Sequence, residues 1–452
     1  MNDMVKTFNG VPVPAGEKIR FADDGAPIVP DRPIVPYIEG DGIGAEITDQ
    51  MRRIVDAAVK LAPRGDKRQI VWYETYAGDK AIKLFGTPLP DDTKAALDEF
   101  GIGIKGPLAT PTGGGMRSLN VALRKHGDYY QCVRPVRYYT GVPSPVKRPQ
   151  DMDVVIFREN GGTDDLYAGI EFEKDSPEVL EIIALLQKMG FTVSEDSGIG
   201  IKPISRRACI RIIRSAMEYA IKTGRKVVTL VGKGNIQKFT EGAFVAWGFE
   251  YVKEAYADYV ITEEDLWSKY GGEIPEGKIL VNYRITDAMF AEIIARPSKY
   301  SVIVTTNMNG DYLSDACAAV VGGLGIAPGA NIGDRGALFE ATHGTAPDIA
   351  GKGLANPSSI LLSAVEMLRY MGWNEAAEMI VAALQNVILD GIVTGDMARL
   401  LTNVKGVSTS EFAEAILAEL GKPARRPRLT LLGRVVAVIR HLADRLERFD
   451  VR

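Results

Sequence analysis

Residues 303–353 read IVTTNMNGDYLSDACAAVVGGLGIAPGANIGDRGALFEATHGTAPDIAGKG. Asp311 and Asp315 stand four residues apart, just after the turn signal Asn309-Gly310. The segment Tyr312–Val321 is rich in Ala, Val and Leu, which suits a helix. On a helix, i and i+4 share one face. Both carboxylates then point at one place, as a hard divalent cation such as Mg²⁺ requires. Acids placed at a helix start by the macrodipole give the same pattern without a metal. Further on, Gly322–Gly333 is glycine-rich, and Glu340, His343 and Gly344 follow. Glycine at this density lets backbone approach a ligand closely. His343 sits among small residues, Ala341-Thr342-His343-Gly344-Thr345-Ala346-Pro347, which reads as a nucleotide-binding loop.

The chain has 452 residues, 46% hydrophobic and 25% charged, ordinary values for a soluble globular protein of two or three units. A net charge of −4 gives no global sign of nucleic-acid binding. Cys132, Cys209 and Cys317 are far apart and odd in number, so reduced, buried thiols in a cytosolic protein are expected. The first residues contain no apolar signal segment. The longest uncharged run, Ala316–Gly333, is broken by glycines and Pro328 and predicts no membrane span.

In chain order, an extended Pro- and Gly-rich arm runs to about Arg32. The apolar run Ile34–Ile38 then ends in the glycine turn Glu39–Gly44. A helix is predicted over Glu46–Leu61, then a strand over Gln69–Tyr73, which points to α/β architecture. Gly101, Gly103 and Gly106 match G-x-G-x-x-G, but they follow the helix-like Asp91–Phe100 and run into Pro107, so no Rossmann fingerprint is assigned. Further strands are predicted over Tyr129–Val133, Val154–Phe157, Val227–Val231 and Tyr300–Thr305. Further helices are predicted over Pro177–Met189, Arg206–Thr223, Ser359–Met371 and Glu375–Leu389.

Ser118, Asn120 and Arg124 lie near a helix start, a natural carboxylate site, although N-capping by Ser118 explains its type equally well. Arg134 and Arg158 accompany strand-like runs. With Arg124 they would offer three planar forks to a polycarboxylate. Lys233 follows the strand Val227–Val231, a functional position in α/β proteins, where burial beside cations lowers a lysine's pKa. A solvated loop lysine is the plainer reading. Asp287 supplies another acid, or an N-cap.

The motifs Asn309–Gly333 and Glu340–Gly353 resemble the isocitrate dehydrogenases and their relatives, the decarboxylating 2-hydroxyacid dehydrogenases. The resemblance runs from about Ile34 to about Leu417 and is closest to the bacterial homodimeric isocitrate enzymes. It implies an α/β isocitrate/isopropylmalate dehydrogenase-like fold, not a standard Rossmann domain. A large domain would take 1–129 and 322–420, and a small domain 130–321, with a subunit-interlocking clasp at about 165–205. The implied reaction is oxidative decarboxylation of isocitrate to 2-oxoglutarate, in the cytoplasm and the tricarboxylic acid cycle, by a homodimer with shared active sites. The resemblance assigns Ser118, Asn120, Arg124, Arg134 and Arg158 to isocitrate. It assigns Lys233 and Tyr167 to proton transfer. Asp311 and Asp315, with Asp287 from the other subunit, would hold Mg²⁺ or Mn²⁺. Thr110, His343, Gly344, Asp348, Ile349 and Asn356 fall to the cofactor. Asp348 and Ile349 stand where NADP-dependent relatives carry Lys and Tyr. Ala355 and Gly395 also replace larger residues, and only Arg399 matches an NADP-type cation. NAD is therefore expected over NADP, because Asp348 would repel a 2′-phosphate. Homoisocitrate, 3-isopropylmalate and tartrate are the sister substrates. The stretch 421–452 lies beyond the resemblance and reads as a basic linker and an amphipathic helix over Leu431–Phe449.

Overall fold

The computed structural model describes residues 6–109, 118–160 and 170–425. Thr110, Tyr167 and the helix expected over Leu431–Phe449 lie outside the described residues. Among the described residues, eleven strands form one sheet. Its order is Val260–Ile261, Ile279–Ile285, Val227–Gly232, Val302–Thr305, Asp153–Glu159, Gln131–Arg137, Pro328–Gly333, Gly336–Ala341, Ile102–Lys105, Ile34–Ile38 and Val71–Glu74. Its antiparallel pairings all involve Gln131–Arg137 or Pro328–Gly333. The other pairings are parallel and need crossovers, which helices supply. Strands covered on both faces read as continuous apolar runs, and Ile34–Ile38 is buried at every position.

Most of the expected elements form within two residues of their predicted bounds. The first long helix spans Gly44–Leu61 and buries Ile47, Met51, Ile54 and Ala58 on one face. The helices Arg206–Thr223 and Asn374–Leu389 form as expected. Gly44–Leu61, Ser358–Tyr370, Asn374–Leu389 and Thr409–Glu419 pack on one another, and Phe412 of the last is fully buried. The glycine run at 101–106 holds the strand Ile102–Lys105, not the start of a helix. Cys132, Cys209 and Cys317 are buried and unpaired. Among the described residues no helix is long and apolar enough to cross a membrane.

Two local expectations change. Asn309-Gly310 is no turn: the helix begins at Asn307 and runs through it to Val321. Gly310 serves close approach instead, because a Cβ there would lie 2.6 Å from the Cβ of Arg158. The glycine-rich run after Val321 is not all loop either. Its second half is the strand Pro328–Gly333, paired on both sides. Past Leu420, the backbone N–H of Arg425 donates to Asn386 Oδ1 (2.8 Å). Its guanidinium pairs with Asp390 (2.7 Å), so the chain is tied down as far as this residue.

Gly310→Ala should press on Arg158 and destabilise the fold by about 1–3 kcal/mol, an overpacking cost. A lower urea midpoint for this variant is the expected reading, and an unchanged midpoint would mean that the Arg158 side chain moves aside freely.

Candidate active site

All five expected substrate residues converge on one cavity of ≈ 330 Å³. Lys105, Arg124, Arg134 and Arg158 line it, with the carboxylates Glu340 and Asp311. Positive charge is therefore in excess by two. Ser118, at the N-cap of the helix Leu119–His126, and Asn120 lie on the same wall. Arg124 comes from that helix, and Arg134 and Arg158 from adjacent antiparallel strands.

The centre of the cluster is Glu340, a residue to which the sequence assigned no role. It is 2% exposed. Its carboxylate meets Lys105 Nζ at 3.0 Å, Arg124 Nη2 at 2.5 Å and Arg134 Nη2 at 3.2 Å. Burial alone would push the carboxyl up. Arg124, Lys105 and Arg134 outweigh it and hold Glu340 well below the usual carboxylate range. Burial also pulls the Lys105 ammonium down, and Glu340 offsets this only in part. The sequence signal for Lys105 was its place at the end of an apolar strand. Its partner lies 235 positions away, and nothing local joins them.

Four buried polar atoms here have no partner among the described residues: Asn120 Oδ1, Arg124 Nε, Arg158 Nε and His343 Nε2. A buried unsatisfied donor or acceptor is costly, so such a cluster marks a place completed by a ligand. The chemistry that fits is a small polyanion.

Arg158 donates to Asp311 and, at 3.0 Å, to Asn307 Oδ1. Asp315 lies one turn further along the same helix, without a hydrogen bond or ion pair among the described residues. Desolvation, and then the charge of Asp311, push its carboxyl upward. Two like charges in that position fit a divalent cation, which would relieve both effects. Asp287 is not with them. It opens the helix Thr286–Ala295 and takes Lys233 Nζ at 2.5 Å. That contact holds the Asp287 carboxyl below its usual range. Among the described residues, no three His, Cys, Asp or Glu side chains come together to hold a metal. Lys233 is half-exposed, not buried beside cations as expected.

The cofactor candidates follow the strand Gly336–Ala341. His343 Nδ1 lies 2.8 Å from Gly344 O, and burial lowers its pKa, which favours a neutral ring. Gly344 has open space around it. Asp348 and Ile349 form a short 3₁₀ turn, with Asp348 exposed and Ile349 half-buried against the core. Asn356 is committed elsewhere: its Oδ1 accepts from Ser358 N (3.0 Å) and its Nδ2 donates to Asp396 (3.0 Å). Its part is to order the loop. Ala355 is buried, and Gly395 and Arg399 are exposed on the neighbouring turn.

The family model for isocitrate/isopropylmalate dehydrogenase matches residues 34–416. A curated relative from Archaeoglobus fulgidus is 53% identical over 408 residues, covering 90% of this chain and 97% of its own. Another, from Coxiella burnetii, is 51% identical over 423 residues, covering 92% and 98%. Both are named as NADP isocitrate dehydrogenases. The crystal structure of isocitrate dehydrogenase from Methylococcus capsulatus aligns with a TM-score of 0.70 at 37% identity, covering 86% of this chain and 99% of that one. The TT0538 protein from Thermus thermophilus aligns at 0.73 and 35%, covering 91% and 73%.

These relatives overturn the expectation of NAD. It rested on repulsion by Asp348 and on the larger residues or donors missing at Ile349, Ala355 and Gly395, and the first of these is weakened by exposure. The carboxylate is exposed on a surface turn, where water and salt screen it. Arg399 is exposed too, and its charge can act on a phosphate just as freely.

Replacing Glu340 by Gln leaves three buried cations without their anion, which should cost about 3–5 kcal/mol of stability. The pH dependence has a definite sign. A depressed carboxyl pKa contributes stability that is present above its unfolded value and lost as pH falls towards the folded one. The gap in stability between unmutated protein and Glu340→Gln should therefore be widest near neutrality and narrow on acidification, as read by urea unfolding at a series of pH values. A gap that does not vary with pH would mean that the fold leaves the pKa of Glu340 unshifted, and a gap that widens on acidification would mean that Glu340 is protonated in the fold.

Proposed function

Because the chain belongs to the isocitrate/isopropylmalate dehydrogenase family, we propose that it catalyses the NADP-dependent oxidative decarboxylation of isocitrate to 2-oxoglutarate and CO₂. The observation that carries this reading is the cavity with four cations set against two carboxylates. Isocitrate brings three carboxylates and one hydroxyl. Two of its carboxylates suit the forks of Arg124, Arg134 and Arg158, and the third suits the polar pair Ser118 and Asn120. A 3-isopropylmalate would place an apolar group against that pair, so the isocitrate reading is favoured over its sisters.

In this reading the arginines fix the substrate so that its hydroxyl and its reacting carbon face Lys233 of the partner subunit and Tyr167. Asp311 and Asp315, with Asp287 of the partner subunit, would hold Mg²⁺ or Mn²⁺, which supplies Lewis-acid polarisation of the hydroxyl and its neighbouring carboxylate. His343, Gly344, Asn356 and Thr110 would hold NADP, which would supply the hydride acceptor. Arg399 and Lys352, both exposed, are the cations we assign to its 2′-phosphate. Lys233 takes the hydroxyl proton as the carbon–hydrogen bond gives up its hydride. Once CO₂ has left, Tyr167 returns a proton to the carbon that bore it.

We read the enzyme as a homodimer. Within one chain Lys233 sits on Asp287, and neither joins Asp311 and Asp315. Leu180, Leu185, Met189 and Phe191, on and after the helix Pro177–Lys188, present apolar surface to water. With the ribbon Ile170–Phe172/Ile199–Ile201, this surface suits a clasp between two copies. The large part at 1–129 and 322–420 and the small part at 130–321 would then move about the central strands. We place the enzyme in the cytoplasm, which unpaired thiols suit, and in the tricarboxylic acid cycle.

Three measurements test this reading. Isocitrate with Mg²⁺ should reduce NADP with a higher kcat/KM than NAD. A higher value for NAD would reject the cofactor assignment. Excess chelator, or Asp311→Asn, should abolish nearly all turnover. Lys233→Ala and Tyr167→Phe should each be poor catalysts alone, yet regain activity when co-refolded, since one of the two shared sites then carries neither change. Absence of recovery would mean that each chain completes its own site.

A further inference from the structure

Glu241 opens the helix Glu241–Ala255 and is 1% exposed. A carboxylate offers about four acceptor positions, and here four donors from three parts of the chain fill them. Oε2 accepts the backbone N–H of Lys233 (3.0 Å) and Asn309 Nδ2 (2.8 Å). Oε1 accepts Thr306 Oγ1 (2.9 Å) and Lys202 Nζ. Thr306 is the N-cap of the helix that carries Asp311 and Asp315, and Asn309 lies in its first turn. Lys202 follows the ribbon strand Ile199–Ile201. Gly232, next to Lys233, leaves room for this: a Cβ there would come within 3.1 Å of Glu241 Oε2.

Lys233 and Thr306 follow the parallel neighbouring strands Val227–Gly232 and Val302–Thr305. The sheet brings their backbones to one edge but does not fix the loop beyond it. We propose that Glu241 is a positioning residue for the reaction. Its buried carboxylate sets the Lys233 loop against the helix of Asp311 and ties both, through Lys202, to the proposed clasp. A carboxylate removed from water is kept in one place by its donors. Loss of any of them would let the Lys233 loop shift relative to the substrate, and a misplacement of about 1 Å can cost two orders of magnitude in rate. The substrate arginines take no part in this network, so substrate binding should be spared.

This inference rests on the role proposed for Lys233. The test uses the full-length enzyme at saturating Mg²⁺. Glu241→Gln should lower kcat by about tenfold or more while the KM for isocitrate stays within about threefold, the mark of lost transition-state positioning, not lost binding. Hydrogen exchange should quicken in the peptide covering Lys233–Thr240 and stay slow in the strand Val227–Val231. Thr306→Val, which deletes one donor at constant volume, should show the same split more weakly and stands in if Glu241→Gln does not fold. Lys233→Met is run beside them. If it retains full turnover, the role of Lys233 is wrong. If it is inactive while Glu241→Gln or Thr306→Val keeps full kcat, the positioning role of Glu241 is overturned. A rise in KM equal to the fall in kcat would also overturn it, since that pattern belongs to a general loosening of the site.

Discussion

Glu340 is a carboxylate removed from water and surrounded by Lys105, Arg124 and Arg134, and the centre of the sheet is arranged around that exchange. Glu340 and Lys105 are register partners on parallel strands. Gly329, opposite Glu340, lies on the strand that pairs with the strand of Arg134. A slip of one residue in either pairing would turn Glu340 to the other face and strand it from its cations. Desolvation of four charges costs several kcal/mol for each ion, and their mutual attraction returns that only in good geometry. The cluster therefore specifies one arrangement of four elements more than it adds stability. It also leaves a surplus of positive charge, which a polyanionic substrate would neutralise.

The same economy of placement governs the rest of the site. Parallel strands send their C-terminal ends to one edge, and ligands bind along that edge in α/β proteins. Val227–Gly232 delivers Lys233 there, and Val302–Thr305 delivers the helix of Asp311. Arg158 joins the two halves, since it shares the cavity with Arg124 and Arg134 and bonds Asp311 on the neighbouring helix. Gly310 is what permits this contact. Backbone geometry brings the groups close, and buried carboxylates then fix their orientation.

Local features of this kind were legible in the sequence to very different degrees. The helices Gly44–Leu61 and Arg206–Thr223 announce themselves by their apolar spacing. Asp311 and Asp315 announce themselves by being four apart. Lys233 is visible because it follows an apolar strand. Glu340, Lys105 and Glu241 were given no role, because each owes its importance to partners far away in sequence. Asn309-Gly310 misled for a related reason. Propensity reads it as a turn, but the approach of Arg158, 152 positions earlier, requires that glycine inside a helix. The cofactor expectation failed through the same locality. In the sequence a sign of charge at Asp348 outweighs Arg399, because the solvent that screens the carboxylate is not visible there.

The pair Lys233–Asp287 shows what a single chain leaves unresolved in charge. Its ammonium and carboxylate satisfy each other at 2.5 Å, so neither is available to a substrate of the same chain. Asp315, meanwhile, is an acid pushed upward by its surroundings and by Asp311. If two copies exchange these groups, as proposed, both tensions resolve together. Asp287 would join Asp311 and Asp315 around a divalent cation that offsets their repulsion, and Lys233 would reach a hydroxyl whose proton it can accept. The Glu241 network gives a reason why the exchange would be orderly. It holds the Lys233 loop, through Lys202, to the end of the strand Ile199–Ile201, so formation of the proposed clasp would place the lysine and not merely bring two surfaces together.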